Sequence, residues 1–271
     1  MRNASDLRAH YEIERELAAR LGAANRDQRQ TLYRDVYNEL FQRVGSHPQR
    51  HGNPSGLAGQ LRVLERYLHP KSVFIEIGAG DCALALAVAE RVSHVYALEV
   101  SSEITEGVPR RDNCEVILTD GLSLPVPAGA ATLAYSNQVF EHLHPDDGLD
   151  HLRQVYQVLE VGGRYVCITP NRLTGPHDIS MYFDNVASGF HLREYTATEL
   201  AALMRIAGFE QVEAWTTRKG VSLRLPWLIV RVTEALLGVL PHRMRRGIGQ
   251  RLPVRIVLSG YVVGVKGTAR L

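Results

Sequence analysis

Val73-Phe74-Ile75-Glu76-Ile77-Gly78-Ala79-Gly80-Asp81-Cys82 is the stretch that decides the fold of this 271-residue chain. Its first half is a short β-branched, apolar run. Its second half is a turn with two glycines, and the Ala- and Leu-rich residues 83–92 that follow read as a helix. Strand, glycine turn and helix in that order make the first unit of an open parallel sheet. Glycine lets the backbone turn sharply there and come close to a ligand, and such sheets bind ligands at the carboxyl ends of their strands.

Downstream the rhythm repeats. Strands are expected at 95–98, 115–118, 131–136 and 164–169, with a helix over 147–159 before the last of these. A helix over 196–207 ends at Gly208, a strand follows at 209–216, and a closing strand is expected at 256–265. Apolar strands alternating with helices imply a doubly wound α/β fold with parallel strands buried on both faces. Upstream, Leu32, Val36, Leu40 and Val44 recur every four residues beside a row of Tyr33, Tyr37 and Phe41, which marks a helix with a wide apolar face. It should stop near Gly45-Ser46-His47-Pro48, with a loop at 52–56 and a further helix at 57–68. The expected organisation is a helical lid over 1–70 and a ligand-binding domain over 71–271. Within that domain, 221–255 is an apolar, basic helical insertion.

Composition narrows the function. Thirty-one basic against 29 acidic residues leave a net charge of +2, too little for a nucleic-acid binder by bulk charge. Cys82, Cys114 and Cys167 form neither a disulfide framework nor a CxxC pattern, so a cytoplasmic protein is expected. The first residues run into charged helical sequence, unlike a signal peptide, and no apolar run reaches the ~20 residues that span a bilayer.

Two ligand classes compete for the glycine turn. Gly78-x-Gly80-x-x-Ala83 with Glu99 downstream also fits a dinucleotide fingerprint, which would make the chain a nicotinamide-dependent oxidoreductase. Against it stands Glu76, because a carboxylate at that strand end repels a pyrophosphate and suits an ammonium beside a sulfonium. Glu99 can accept two ribose hydroxyls, and Asp120 can accept from an adenine amino group. Acids at three successive strand ends suit a cationic adenosine ligand.

On these residues the chain resembles the class I S-adenosylmethionine-dependent methyltransferases, in their small-molecule branch. Glu76-Ile77-Gly78-Ala79-Gly80-Asp81-Cys82 matches the first family motif, with Cys82 where a third glycine is common, and Leu98-Glu99-Val100-Ser101 matches the second. Thr119-Asp120-Gly121 resembles the adenine-binding element, Ser136-Asn137-Gln138-Val139-Phe140-Glu141-His142-Leu143 the fourth-strand motif, and Leu159-Glu160-Val161-Gly162-Gly163-Arg164 the turn into the fifth strand. The resemblance covers roughly 60–217. It implies a mostly parallel seven-stranded sheet with one antiparallel strand, which 256–265 would supply as partner of 209–216. It also implies S-adenosylmethionine as cofactor, with Asn137-Gln138-Val139 passing under the methionine moiety and adenine. No Asn-Pro-Pro-Tyr type motif follows the fourth strand, which disfavours a nucleic-acid acceptor.

Methyl transfer from a sulfonium releases a neutral thioether and needs no metal, but a hydroxyl acceptor needs a base. His142, His144, His177 and His191 are candidates, with His142 first and His191 second. Thr196 is expected to cap its helix, and Arg193 to pair with Glu141 or Glu194. Asp146 and Asp147 read as helix N-caps, Cys82 and Cys167 as core, and no metal site is expected. The long connection 170–189 should shape the acceptor pocket, and Tyr33, Tyr37 and Phe41 either pack the helix or line that pocket. Apolar residues and an Arg cluster in 221–251 raise peripheral membrane contact, against an ordinary helix packed on the sheet. A non-catalytic protein that keeps the fold is the remaining alternative.

Overall fold

One eight-stranded sheet, in the order β3-β2-β1-β4-β5-β8-β6-β7, organises the computed structural model, which describes residues 4–44, 54–218 and 220–267. In chain order the elements are α1 (Ala4–Ala23), α2 (Arg26–Val44), α3 (Pro54–Leu64), β1 (Val73–Ile77), α4 (Ala83–Ala89), β2 (His94–Glu99), α5 (Ser102–Thr105), β3 (Cys114–Leu118) and β4 (Ala131–Asn137). Then come α6 (Gly148–Val158), β5 (Leu159–Ile168), α7 (Ala197–Ala207), β6 (Gln211–Arg218), β7 (Val221–Leu225), α8 (Trp227–Gly238), α9 (His242–Gly249), α10 (Val254–Leu258) and β8 (Tyr261–Val265).

The first five strands pair in parallel, while β8 runs antiparallel to both β5 and β6. Strand order reverses at β1, whose neighbours are β2 and β4, so the turn after β1 sits at the crevice where such sheets take ligands. The sheet has eight strands rather than the expected seven. The extra one, β7, lies within 221–255 and pairs antiparallel with β6, so that segment enters as a strand before turning helical. The closing strand begins at Tyr261, not at 256, because 254–258 forms α10. Helix α3 starts at Pro54, inside the expected loop, and the expected stop at 45–48 lies outside the described residues.

Period-two alternation along β1 divides the core. Ile75 and Ile77 join Leu17, Leu21, Tyr33, Val36 and Leu40 of α1 and α2 on one face. Phe74 joins Val63 and Leu64 of α3 and Leu84, Ala85 and Val88 of α4 on the other. The N-terminal helices therefore separate: α1 and α2 share the core beside the crevice, whereas α3 lies with α4 on the far face. Helix α7 is closed by a capping box, Thr196 accepting from Glu199 N and Glu199 from Thr196 N, and it ends at Gly208 with φ +116°.

Candidate functional site

A cavity of about 530 Å³ opens at the carboxyl ends of β1, β2 and β4, within the size range of small-molecule sites. Its floor is backbone. Gly78 and Gly80 adopt φ of +71° and +55°, and Gly78 and Ala79 donate to Leu98 O at 2.8 and 3.0 Å. A Cβ on Gly78 would lie 2.5 Å from Val139 Cγ2, so only glycine lets the two loops cross. Cys82, where the resembled motif commonly has a third glycine, still takes the left-handed conformation at φ +57°.

The three carboxylates part company. Glu99 lines the cavity, with Oε2 accepting from Gly80 N at 2.8 Å and Oε1 from Val100 N at 2.8 Å and Ser101 N at 3.1 Å. Each carboxylate oxygen has two lone pairs, so acceptor capacity toward a ligand hydroxyl remains. Glu76 does not line the cavity. It shares the β1 face of Phe74, where Ala85 N–H of the first turn of α4 reaches its carboxyl group; Oε2 has no partner among the described residues. Burial pushes its proton affinity well above the carboxylate range; burial raises that of Glu99 as well, so what separates the two is that Glu76 lies off the cavity wall. Asp120 does not line the cavity either: its oxygens accept from Leu122 N (2.9 Å), Ser123 N (2.7 Å) and Ser123 Oγ (2.9 Å), closing its own turn. Of the three expected acids, Glu99 alone lines the cavity in this structure.

Of the other expected ligand contacts, Val100, Gly121, Asn137, Gln138 and Val139 line the cavity. Ala79 and Ser101 do not; Ser101 Oγ instead donates to Asn38 Oδ1 of α2 at 2.6 Å. Gly121, at φ +80°, lets Tyr33 close over the loop, since a Cβ there would sit 2.9 Å from Tyr33 Cβ.

The opposite wall is built from side chains. Tyr33, Tyr37 and Phe41 all face the cavity, as do His177, Asp178 and Tyr182 of the long connection and Phe190 and His191 just after it. Tyr37 meets Phe190 edge-on at 5.0 Å and His142 at 6.1 Å. Helix α2 is tied down by Arg29, whose Nε and Nη2 each reach Asp147 at 2.7 Å in a buried bidentate pair. Asp147 is thus at a helix N-cap position, yet its side chain serves Arg29 and not the helix. From α1, Glu14 accepts from Phe190 N at 3.0 Å, and Tyr11 bonds Asp184 and stacks on Phe183.

Two of the four candidate histidines meet here at 4.8 Å between ring centres. His142 Nδ1 lies 3.0 Å from Phe190 O, and burial drives its pKa down to about 3, so the ring stays neutral. His191 Nδ1 lies 2.8 Å from Glu194 Oε1. Burial opposes its charge, but the bond to Glu194 and the fields of Glu141, Glu194 and Asp178 outweigh it and raise the pKa. Glu141, which the sequence reading had not assigned to the site, is fully buried, and burial lifts its pKa to about 7 against the pull of His191 and the Thr169 hydroxyl. His177 faces the cavity but is held by Asn171 O and Thr174 Oγ1, and His144 lies outside. The Arg193 guanidinium sits over the Tyr195 ring at 4.8 Å instead of forming an ion pair with Glu141 or Glu194, while its backbone N–H donates to Glu141 O at 3.1 Å. One ligand atom each of Glu141, His142 and His191 lies within 4.8 Å of the others. Ligand atoms on a metal ion with ~2 Å bonds sit roughly 3.3 Å apart, so this set holds a cation only after closing in.

Comparison with known proteins agrees with this geometry. Residues 75–167 match the family described as a methyltransferase domain. A probable S-adenosylmethionine-dependent methyltransferase of Mycolicibacterium smegmatis is 31% identical over 137 residues, 50% of this chain and 51% of that protein. One of Mycobacterium tuberculosis is 30% identical over 151 residues, 55% of this chain and 53% of its own length. The chain thus spans about half the length of the curated relatives it matches. In fold it resembles Haemonchus contortus phosphoethanolamine N-methyltransferase 2 solved with S-adenosyl-L-methionine, at TM-score 0.57 and 14% identity over 86% of this chain and 60% of that one.

Proposed function

We propose that this chain is a class I S-adenosylmethionine-dependent methyltransferase, as its match to a methyltransferase-domain family over 75–167 and its relatives support, and that it methylates a hydroxyl of a small, partly apolar acceptor. The observation that carries this reading is one cavity with two unlike walls: the glycine turn and Glu99 on one side, His191 with its Glu194 on the other. The floor suits the cofactor, since the cradle at Gly78 would be filled by any Cβ and Glu99 offers acceptors beside it. Gly78, Gly80, Glu99, Val100, Gly121, Asn137, Gln138 and Val139 would hold it. When bound, S-adenosylmethionine supplies an electrophilic methyl carbon on a sulfonium that leaves as a neutral thioether.

The chain's own work is then alignment, exclusion of water and proton removal. Tyr37, Phe41 and Phe190 give an apolar wall, and α1 and α2 act as the cap. Glu194 holds the Nδ1–H of His191, which leaves Nε2 as the proton acceptor for the hydroxyl. His142 is the weaker base, because burial keeps its proton affinity low. This reverses the order the sequence suggested. Calorimetry tests the cofactor half: S-adenosylmethionine and S-adenosylhomocysteine are expected to bind and NAD not to bind. Binding of NAD alone would reinstate the oxidoreductase reading. Cofactor binding with no turnover on hydroxyl, amine or carbon acceptors would make the chain a non-catalytic binder.

A further inference from the structure

Helix α8 is apolar on both sides. Toward the protein it buries Val230, Glu234 and Leu237. Diametrically opposite, Leu228, Val232, Leu236 and Val239 form a second stripe at helical spacing, exposed to 74%, 47%, 64% and 81%. A surface helix ordinarily turns polar residues to that side. No helix among the described residues is long and apolar enough to cross a membrane, so this stripe can lie on a bilayer but not span one.

Charge identifies what covers it. Residues 221–251 contain six arginines and a single acid, Glu234. That acid is turned inward, accepting from Asn171 Nδ2 at 2.9 Å, Ala197 N at 2.8 Å and Thr198 N at 3.1 Å. Among the described residues no carboxylate pairs with Arg231, Arg243, Arg246 or Arg251. An exposed apolar stripe beside uncompensated cations, with no outward acid, fits a surface that is anionic at its face and apolar beneath. A second copy docked through the same face would set arginine against arginine.

We propose that α8 and α9 dock this protein on an anionic membrane surface, Leu228, Val232, Leu236 and Val239 entering the interface and Arg243 and Arg246 meeting lipid phosphates. On the protein side of α9, a cavity of about 420 Å³ lined by the buried Gly249 and by Arg255 of α10 shares Gln138 and His177 with the cleft. Docking itself does not depend on the methyl-transfer reading.

The test uses the full chain and phosphatidylcholine vesicles with or without phosphatidylglycerol, in a sedimentation assay. The anionic vesicles should pellet the protein, the neutral ones should not, and added salt should release it. Leu236→Glu with Val239→Glu should weaken binding roughly 10-fold or more. Arg243→Ala with Arg246→Ala should weaken it roughly 20-fold. Unchanged S-adenosylhomocysteine affinity or an unchanged circular dichroism spectrum would show that the variants remain folded. Failure to pellet with anionic vesicles overturns the proposal, as does equal pelleting of the variants. So does self-association in the ultracentrifuge that Leu236→Glu abolishes, which would make a second copy the occupant.

Discussion

The two walls of the cleft are made of different material. The wall at the carboxyl ends of β1 and β2 is backbone: glycines at positive φ, amide groups fixed on Glu99 and Leu98 O, and a loop crossing at Gly78 that leaves no room for a Cβ. The opposite wall is side chains from segments far apart in sequence, α1, α2 and the stretch between β5 and α7, held by the Arg29–Asp147 pair and by Glu14 on Phe190 N. A backbone wall constrains sequence through a few residues at fixed spacing. A side-chain wall can be assembled from many residue sets, which is how one fold accommodates different acceptors.

Four experiments would sharpen or break that contrast, starting with the largest effect. His191→Gln should lower kcat roughly 10²- to 10⁴-fold and leave S-adenosylhomocysteine affinity unchanged. In the unmodified protein kcat should rise with pH as His191 loses its proton, with a midpoint above the ordinary 6.5 because its pKa is raised; Glu194→Gln should shift that limb downward. A pH-independent rate in the unmodified protein would remove His191 as base. Second, Arg29→Met strands the buried Asp147 charge and should cost about 3–5 kcal/mol in chemical denaturation. A loss near zero would mean that the cap is not anchored there. Third, Gly78→Ala should raise the S-adenosylhomocysteine dissociation constant roughly 10- to 100-fold by calorimetry, through strain at φ +71° and contact with Val139. Smallest is a paired comparison. Glu99→Gln should weaken the same ligand roughly 10-fold, whereas Glu76→Gln should change it less than about threefold, because Glu76 lies off the cavity wall, against α4. Equal effects would return Glu76 to the ligand.

The sequence carried the backbone wall well. Gly78 and Gly121 stand where a Cβ would press on Val139 and Tyr33, Gly80 takes a left-handed turn at φ +55°, and the strand alternation led to the parallel sheet apart from β7. The structure departs from the sequence reading at Glu76 and Asp120, which do not line the cavity and have local partners instead. A signal for Glu76 was present, since alternation along β1 puts it with Phe74 and opposite Ile75 and Ile77. Ser123, three residues after Asp120, was likewise a hint of a side-chain-closed turn. Glu14 on Phe190 N and Arg29 on Asp147 left no such trace: those pairs are 176 and 118 residues apart, and neither partner has a local reason to be what it is. Glu141 stood next to a favoured histidine, but only its burial sets it apart.

Helix α2 touches both walls, through Tyr33 against Gly121 and through Tyr37 against Phe190 and His142. A rod that two guests both press against couples them to the extent that one arrival stills it for the other. Measured as dissociation constants in the presence and absence of the other guest, the two gains must be equal.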